Sequence, residues 1–475
     1  MTGRFGSTRS SAFATDGTGH PANDGAALNA RFRVRADANT PDIEDGWVFI
    51  GALATDLVDG TVRGTTGAHE GDLLPDRDSD TLTLQEAWLH LRHGKLFGLR
   101  AGAMTSQWGL GLVANDGSSG LSVSRNDWFS QANSGDRVWR ALVHAMPWAG
   151  SESPLRGLFL TLAADRLVED DVADSERGQK AEQVVVAARY FLAKTQSVGL
   201  YGVARRQRHD DGKRLDVKVV DAAFDFDWRD AAQGGFRLEG ETAYISGDTT
   251  LGPTPDHPVH AIAQGAAIGR LSWQAPAQRW SAQLDAGWFR GDDTPDDATL
   301  TAFRADRNLR QGMVLFERVL AWQTGRARLS ASNPNLIGVP PEDADRLASG
   351  GAIFNAITVF PKIGFRPKPD FEVYGGLLLA LAPSAPVDPF RTRTEGGGSA
   401  RNFLGGTPEG SMLGTEIDLG VRFTRTLPRG GAALQLGVEH GILLPGGALS
   451  ASASTAGVGL PTVHATRLTL SLLGK

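Results

Sequence analysis

The chain has 475 residues, 59 of them glycine and none cysteine, with 41% hydrophobic residues and a mean hydropathy of −0.20. Without cysteine there is no disulfide framework and no thiolate metal site, and no apolar run approaches the length of a membrane helix. The 48 basic residues are mixed among 54 acidic ones, net −6, which leaves no basic footprint for nucleic acid.

The N-terminus carries no visible signal peptide, since Met1 leads straight into a polar Gly/Ser stretch. Export would require a leader, taken here as already removed. "GRFGSTRSSAFAT" (3–15) is a weak strand pattern. "AALNARFRVRADA" (26–38) is a strong one: Leu28, Ala30, Phe32, Val34 and Ala36 fall on one face, and Asn29, Arg31, Arg33, Arg35 and Asp37 on the other. The same period of two returns at 47–57, 97–103, 184–192, 224–229, 236–244, 280–288, 413–424, 434–439 and 467–473. Helical periodicity is nearly absent; "PPEDADRLA" (340–348) is the best short helix candidate. An ordinary soluble chain would show far more helix, so the elements read as one continuous antiparallel sheet.

Connections alternate between short ("HGK", 93–95; "AKTQS", 193–197; "APAQ", 275–278; "PKPD", 367–370) and long Gly/Pro/Ser/Asp-rich segments (58–80, 106–135, 382–412, 444–462). That asymmetry is what short periplasmic turns and long external loops produce in an outer-membrane barrel. The alternation breaks between 291 and 352, where "GMVLFERVLAWQT" (312–324) looks strand-like. Treating 291–352 as one long, plug-like external loop and 3–15 as a first strand restores it. The expected architecture is therefore all-β: a transmembrane up-and-down barrel of about eighteen strands (16–18), an even number. Residues 1–25 form an N-terminal tail with a first strand, and 26–475 a single barrel. An arginine facing lipid at mid-depth costs roughly 2–4 kcal/mol. The three at 31–35 would cost about 6–12 kcal/mol on that scale, comparable with the stability of a domain. They are expected to face the lumen, with Leu28, Phe32 and Val34 toward lipid, and a lumen of that width is expected to have a polar wall. No blade-length repeat supports a propeller.

"QEAWLHLRHGKLFGLRAGAMTSQWGLGLVANDG" (85–117) resembles a hairpin of large Gram-negative outer-membrane barrels of the alginate-export type, with Gly102, Ser106, Trp108, Gly109 and Gly111 in its glycine/tryptophan run. "LGTEIDLGVRF…LQLGVEHGILLPGGAL" (413–449) resembles the closing region of such barrels and "NAITVFPKIGFRPKPDFEVYGGLLLALAP" (355–383) the hairpin before it, and the chain is similar to an uncharacterised family of such barrels more than to any porin of known cargo. The resemblance implies a porin-like barrel of the outer membrane, set in lipid and lipopolysaccharide. One departure is the end of the chain, Leu472, Leu473, Gly474 and Lys475, where these barrels usually carry an aromatic residue.

The lumen-parity candidates are Arg31, Arg33, Arg35, Arg100, Arg140, Arg205, Arg237, Arg270, Arg422 and Arg467. They form either a basic track for small anionic solutes or a polysaccharide such as a polyuronate, or pairs with wall acids. Those acids are Asp225, Asp227, Glu239, Glu241, Asp285, Glu416, Asp418 and Glu439. Trp108, Asn115 and Asp116 are candidates for an inward constriction, with Trp108 equally readable as an anchor at the membrane surface. Asp292, Asp293, Asp296 and Asp297 offer oxygen ligands, but their spacing and Pro295 do not fit a calcium loop. No cofactor, metal or nucleophile-elbow motif is expected. The function these features favour is a solute channel. The alternatives are a barrel without transport, anchoring or scaffolding an envelope complex, and an outer-membrane hydrolase.

Overall fold

The computed structural model describes residues 2–11, 14–15, 21–22, 26–40, 46–64, 82–118, 128–129, 135–230, 232–252, 257–292, 297–331, 348–397, 399–408, 410–427, 431–450 and 459–474. Eighteen strands form the wall: β1 (Thr2–Ser10), β2 (Ala26–Asn39), β3 (Trp47–Gly64), β4 (Thr83–His93), β5 (Phe97–Thr105), β6 (Arg137–Ala145), β7 (Leu158–Glu169), β8 (Gln179–Ala193), β9 (Gln196–His209), β10 (Arg214–Asp227), β11 (Gly235–Thr249), β12 (His260–Gln274), β13 (Trp280–Phe289), β14 (Ala356–Lys368), β15 (Phe371–Leu381), β16 (Met412–Thr426), β17 (Ala433–Pro445) and β18 (Val463–Leu473). Each pairs antiparallel with its sequence neighbour, and β18 pairs with β1 to close the ring. Closure leaves the wall with no edge strand, as a sheet crossing lipid requires.

Alternation fixes the two faces. Leu53, Leu89, Leu200, Val220 and Leu419 are each more than half exposed on the outside, while Asp56, Asp221, Asp285, Glu416 and Asp418, at the opposite parity, expose nothing. Large aromatic residues gather on the outer face near the short turns: Phe97, Trp228, Phe236, Trp273, Trp280, Phe371 and Phe423 are all exposed. Phe224, Phe226 and Trp228 stack along β10 at 5.5 and 5.7 Å, and Trp280 meets Phe365 at 4.3 Å. Trp139, Tyr244 and Trp288 mark the opposite rim. Two aromatic girdles around an apolar band are the outer surface of a transmembrane barrel. No helix among the described residues is long and apolar enough to cross a membrane.

At one end the connections are tight, such as 94–96, 194–195 and 369–370; at the other they include 106–136, 290–355 and 382–411. Residues 312–324, strand-like in pattern, are mostly helical. A π-helical turn, Leu315–Leu320, runs into α1, Ala321–Ala331, inside the barrel. A helix satisfies its own backbone groups, so it can be buried away from any sheet. The candidate helix at 340–348 falls, except for Ala348, outside the described residues. A second short helix, α2 (Pro389–Thr394), is capped by Asp388, whose side chain accepts from the Arg391 amide at 3.2 Å.

Candidate functional site: the filled lumen

The described parts of segments 106–136, 290–355 and 382–411 turn into the barrel rather than away from it. They build a dry core there: Leu112, Trp128, Phe129, Phe303, Met313, Leu315, Phe316 and Leu320 are almost wholly buried against inward wall residues such as Phe360, Tyr374 and Leu378. Phe129 lies 5.1 Å from Tyr374 and 6.2 Å from Phe360.

Wall carboxylates pin this plug, Glu439 among them, which accepts the Phe129 amide at 3.2 Å. Glu416, fully buried on β16, accepts the backbone N–H groups of Met313, Val314 (2.8 Å) and Leu315 (2.8 Å). These amides open the helical segment, where the helix dipole and the unpaired N–H groups favour an anion. Glu241 on β11 accepts the amides of Leu110 (2.5 Å) and Leu112 (3.1 Å), and beside it Asp221 accepts the Trp108 indole N–H at 2.8 Å. The Glu241 and Glu416 clamps each have a glycine. Gly109 (φ +50°) and Gly312 (φ +75°) hold left-handed backbone, and a Cβ there would sit 2.6 Å from Glu241 and 2.7 Å from Glu416. Trp108 is therefore inside the lumen and not at the membrane surface. It stacks on Tyr201 at 5.1 Å, with Arg189 over its ring at 5.0 Å. Asn115 and Asp116 cap the turn after it, accepting from the Gly117 and Ser118 amides.

The wall arginines sit among acids. Arg33 forms a fork with Asp56 (2.6 and 2.8 Å), Arg140 with Asp165 (2.7 Å twice), and Arg237 with Asp225 (2.9 and 2.8 Å) while also meeting Glu239. Arg205 pairs with Asp170, Arg35 with Glu86, and Arg467 with Glu439. Asp285 lies between Arg270 and Lys362, 2.8 Å from each. Asp227 pairs with Arg229 at 2.6 Å. Arg422 lies 3.9 Å from Glu372 and over the Tyr374 ring; Arg100 lies over Trp88 at 4.3 Å. The three arginines of β2 differ: Arg31 is buried and reaches the Gly117 carbonyl, Arg33 is paired, and Arg35 is exposed, with a bulge between Phe32 and Arg33. Sequence reasoning missed Arg4. It faces Arg31 across the β1–β2 ladder, and its Nη1 is buried without a hydrogen-bond partner among the described residues. Its only sequence signal was the weak strand at 3–15.

The expected polar wall fails on one side. Between the plug and β6–β12 lies a chamber of about 370 Å³. Its wall residues include Leu167, Val203, Val217, Val219, Ile245 and Ile262, on the inward parity of their strands. Asp136, Asp170, Asp171 and Asp306 line it too. Burial, then the neighbouring carboxylates, push the carboxyls of Asp136 and Asp306 well above the usual range.

Asp297 caps a turn, accepting from the Thr299 amide, and Asp292 accepts the Thr301 amide farther along the chain; Asp293 and Asp296 lie outside the described residues. Among the described residues no group of three or more His, Asp or Glu side chains is placed to hold a metal. His90 and His144 meet at 2.9 Å on the inner wall, without a third ligand.

No family model and no curated protein matches this sequence. Solved structures of similar shape exist. OccK2 (OpdF) of Pseudomonas aeruginosa is 12% identical, with 99% of this chain and 96% of that chain covered, at a TM-score of 0.49. OccK9 (OpdG) of the same organism is 13% identical over 99% and 98%, at 0.47. Wzi of Escherichia coli, an outer-membrane protein involved in group 1 capsule assembly, is 10% identical over 99% and 84%, at 0.42. The transmembrane barrel assignment rests on the closed sheet and its two faces.

Proposed function

We propose that this chain is a porin-like channel of a Gram-negative outer membrane. Its lumen is narrowed by an infolded plug and passes small solutes, anionic ones along the β1–β2–β18 side. The observation that carries this is the closed eighteen-strand wall with an apolar outside and charged side chains within. Such a wall is stable only with lipid outside and water or polar groups inside. Support for anions comes from Arg4, close enough to Arg31, Arg422 and Arg467 to feel their charge, with Glu439 the acid among them. A guanidinium nitrogen buried there without a partner suits a passing carboxylate or phosphate. The polyuronate cargo suggested by the alginate-export resemblance is one member of that class. The dry core inside the lumen favours a second reading, a closed barrel that serves as an anchor or scaffold in the envelope.

Purified protein in planar bilayers separates the two. The channel predicts stable unitary conductance; a barrel that stays closed at every voltage overturns it and supports the anchor.

A further inference from the structure

The chamber lies opposite Arg4: β10, on its wall, is nine strands from β1 around a ring of eighteen. Two observations about it belong together. Its wall is lined with valine, leucine and isoleucine turned inward, where a water-filled pore has no use for them. And its charges do not balance. Arg137 is taken by Glu169, Arg205 by Asp170 and Arg307 by Asp171 (2.7 Å). Arg304 donates to the Ala348 carbonyl, and Asp292, another lining acid, accepts the Thr301 amide. Asp136 and Asp306 remain. Neither forms an ion pair among the described residues, although Asp306 is 94% buried, with 6% exposure. Asp306 accepts one amide, from Asn308 at 2.7 Å.

We infer that the chamber binds small amphipathic organic cations, an ammonium head at Asp136 and Asp306 and an apolar body against Val203, Val217, Val219 and Ile245. The volume is within the range of about 300–1,000 Å³ usual for ligand pockets. A neutral apolar ligand would cover the wall but offer the half-buried Asp136 and the buried Asp306 neither a charge nor a hydrogen bond, and an anion would sit against a cluster of carboxyls. A bare inorganic cation would leave the apolar wall wet. With no ligand bound, the raised carboxyls keep protons that a cation must displace. Binding therefore releases protons and weakens as pH falls. Arg307, Asp170 and Asp171 face the same two groups and stay paired throughout, and Arg140, forked to Asp165, and the Tyr201 hydroxyl also face Asp136. The inference goes beyond the channel reading and does not need the pore to conduct.

The test is calorimetric titration of the detergent-solubilised full chain with three probes: phenylbutylammonium, phenylbutyrate (a similar body with the opposite charge) and tetramethylammonium (charge without the body). Saturable binding of phenylbutylammonium is expected, at least about tenfold tighter than either other probe. It should show proton release in buffers of different ionisation enthalpy and an affinity that falls on acidification. Equal affinity for the two phenylbutyl probes, or no saturable heat, overturns the inference on the unmodified protein, whatever a variant does. The double variant Asp136→Asn/Asp306→Asn should lose the preference for the cation; retention of it by a folded barrel also overturns the site. Binding without conductance refutes the channel and leaves the chamber; conductance without binding does the reverse.

Discussion

Strands β10 and β16 are both wall strands, yet their inner faces do opposite things. On β16 the inward positions are Glu416, Asp418, Gly420 and Arg422, and the lumen beside them is packed solid. On β10 they begin with Leu215, Val217 and Val219, and the lumen beside them holds the chamber. In a soluble core the expectation runs the other way, apolar residues marking the filled space. Here the plug is held by its backbone. Buried amides need acceptors, and a wall carboxylate supplies several at once, as Glu416 does for three. An inward carboxylate that takes plug amides, as Glu416 does, thus marks where chain docks, and Val217, beside the chamber, marks where the lumen stays open.

The strongest way to break that contrast is Glu416→Ala. Three buried N–H groups lose their acceptor, at roughly 1–3 kcal/mol each. The eighteen-strand ladder uses no side chain and should persist. Single-channel recordings should show a several-fold larger conductance than the unmodified protein, with Glu416→Gln between the two. An unchanged conductance would mean that the clamp does not hold the plug.

Gly109→Ala and Gly312→Ala compare the two sides directly. Each forces a left-handed alanine, at about 1–2 kcal/mol, and drives a methyl against the clamp carboxylate. Gly312→Ala should open the pore in part without changing the binding of phenylbutylammonium. Gly109→Ala should weaken that binding, because Leu112, Val113 and Ala114 line the chamber just beyond it. If both variants change both readouts alike, the lumen is one unit and the contrast fails.

The wall was legible because period two repeats in nearly every strand, and the cost of arginine in lipid set its orientation. The lumen was less so. Parity put Glu241 and Glu416 inside but could not show that their partners would be backbone amides more than 100 residues away in sequence. Asp221 shares the inward parity of Asp225 and Asp227, yet only the fold brings Trp108 to it. Val217 and Val219 belong to "VKVV", which reads as a strand apolar on both faces. That pattern gave no reason to expect a cavity. Met313 to Leu320 looked strand-like because its apolar residues serve a buried helix, and short apolar runs do not separate the two.

A smaller effect follows from Asp306. Its carboxyl is raised above the usual range of about 3.8 by burial first, then by Asp171 and Asp170. The native state therefore holds a proton that the unfolded chain has released, and stability falls as pH rises from the ordinary carboxylate range through the raised one. Asp306→Asn removes this loss. In thermal melts taken between about pH 5 and pH 8 the unmodified protein should lose stability relative to the variant. Parallel curves would place Asp306 in contact with water and remove half of the chamber's charge.

The smallest expected effect concerns the side opposite the chamber. Replacing Arg33 or Arg35 does not test anion passage cleanly. Arg33 is forked to Asp56, which exposes nothing, so its loss leaves a buried charge unpaired at roughly 3–5 kcal/mol. Arg4 is the better probe, because no carboxylate lies within ion-pair distance of it among the described residues. Arg4→Gln keeps a polar, though shorter, side chain and removes one positive charge beside Arg31 and Arg467. Reversal potential in a salt gradient should shift toward cations, and only modestly, since one charge of several is lost. The measurement belongs at low ionic strength, where the Debye length is about 30 Å at 0.01 M rather than about 10 Å at 0.1 M. If permeating ions pass Arg4, the shift shrinks as salt is raised. If they pass through the chamber side instead, nine strands away, the shift is absent at any salt.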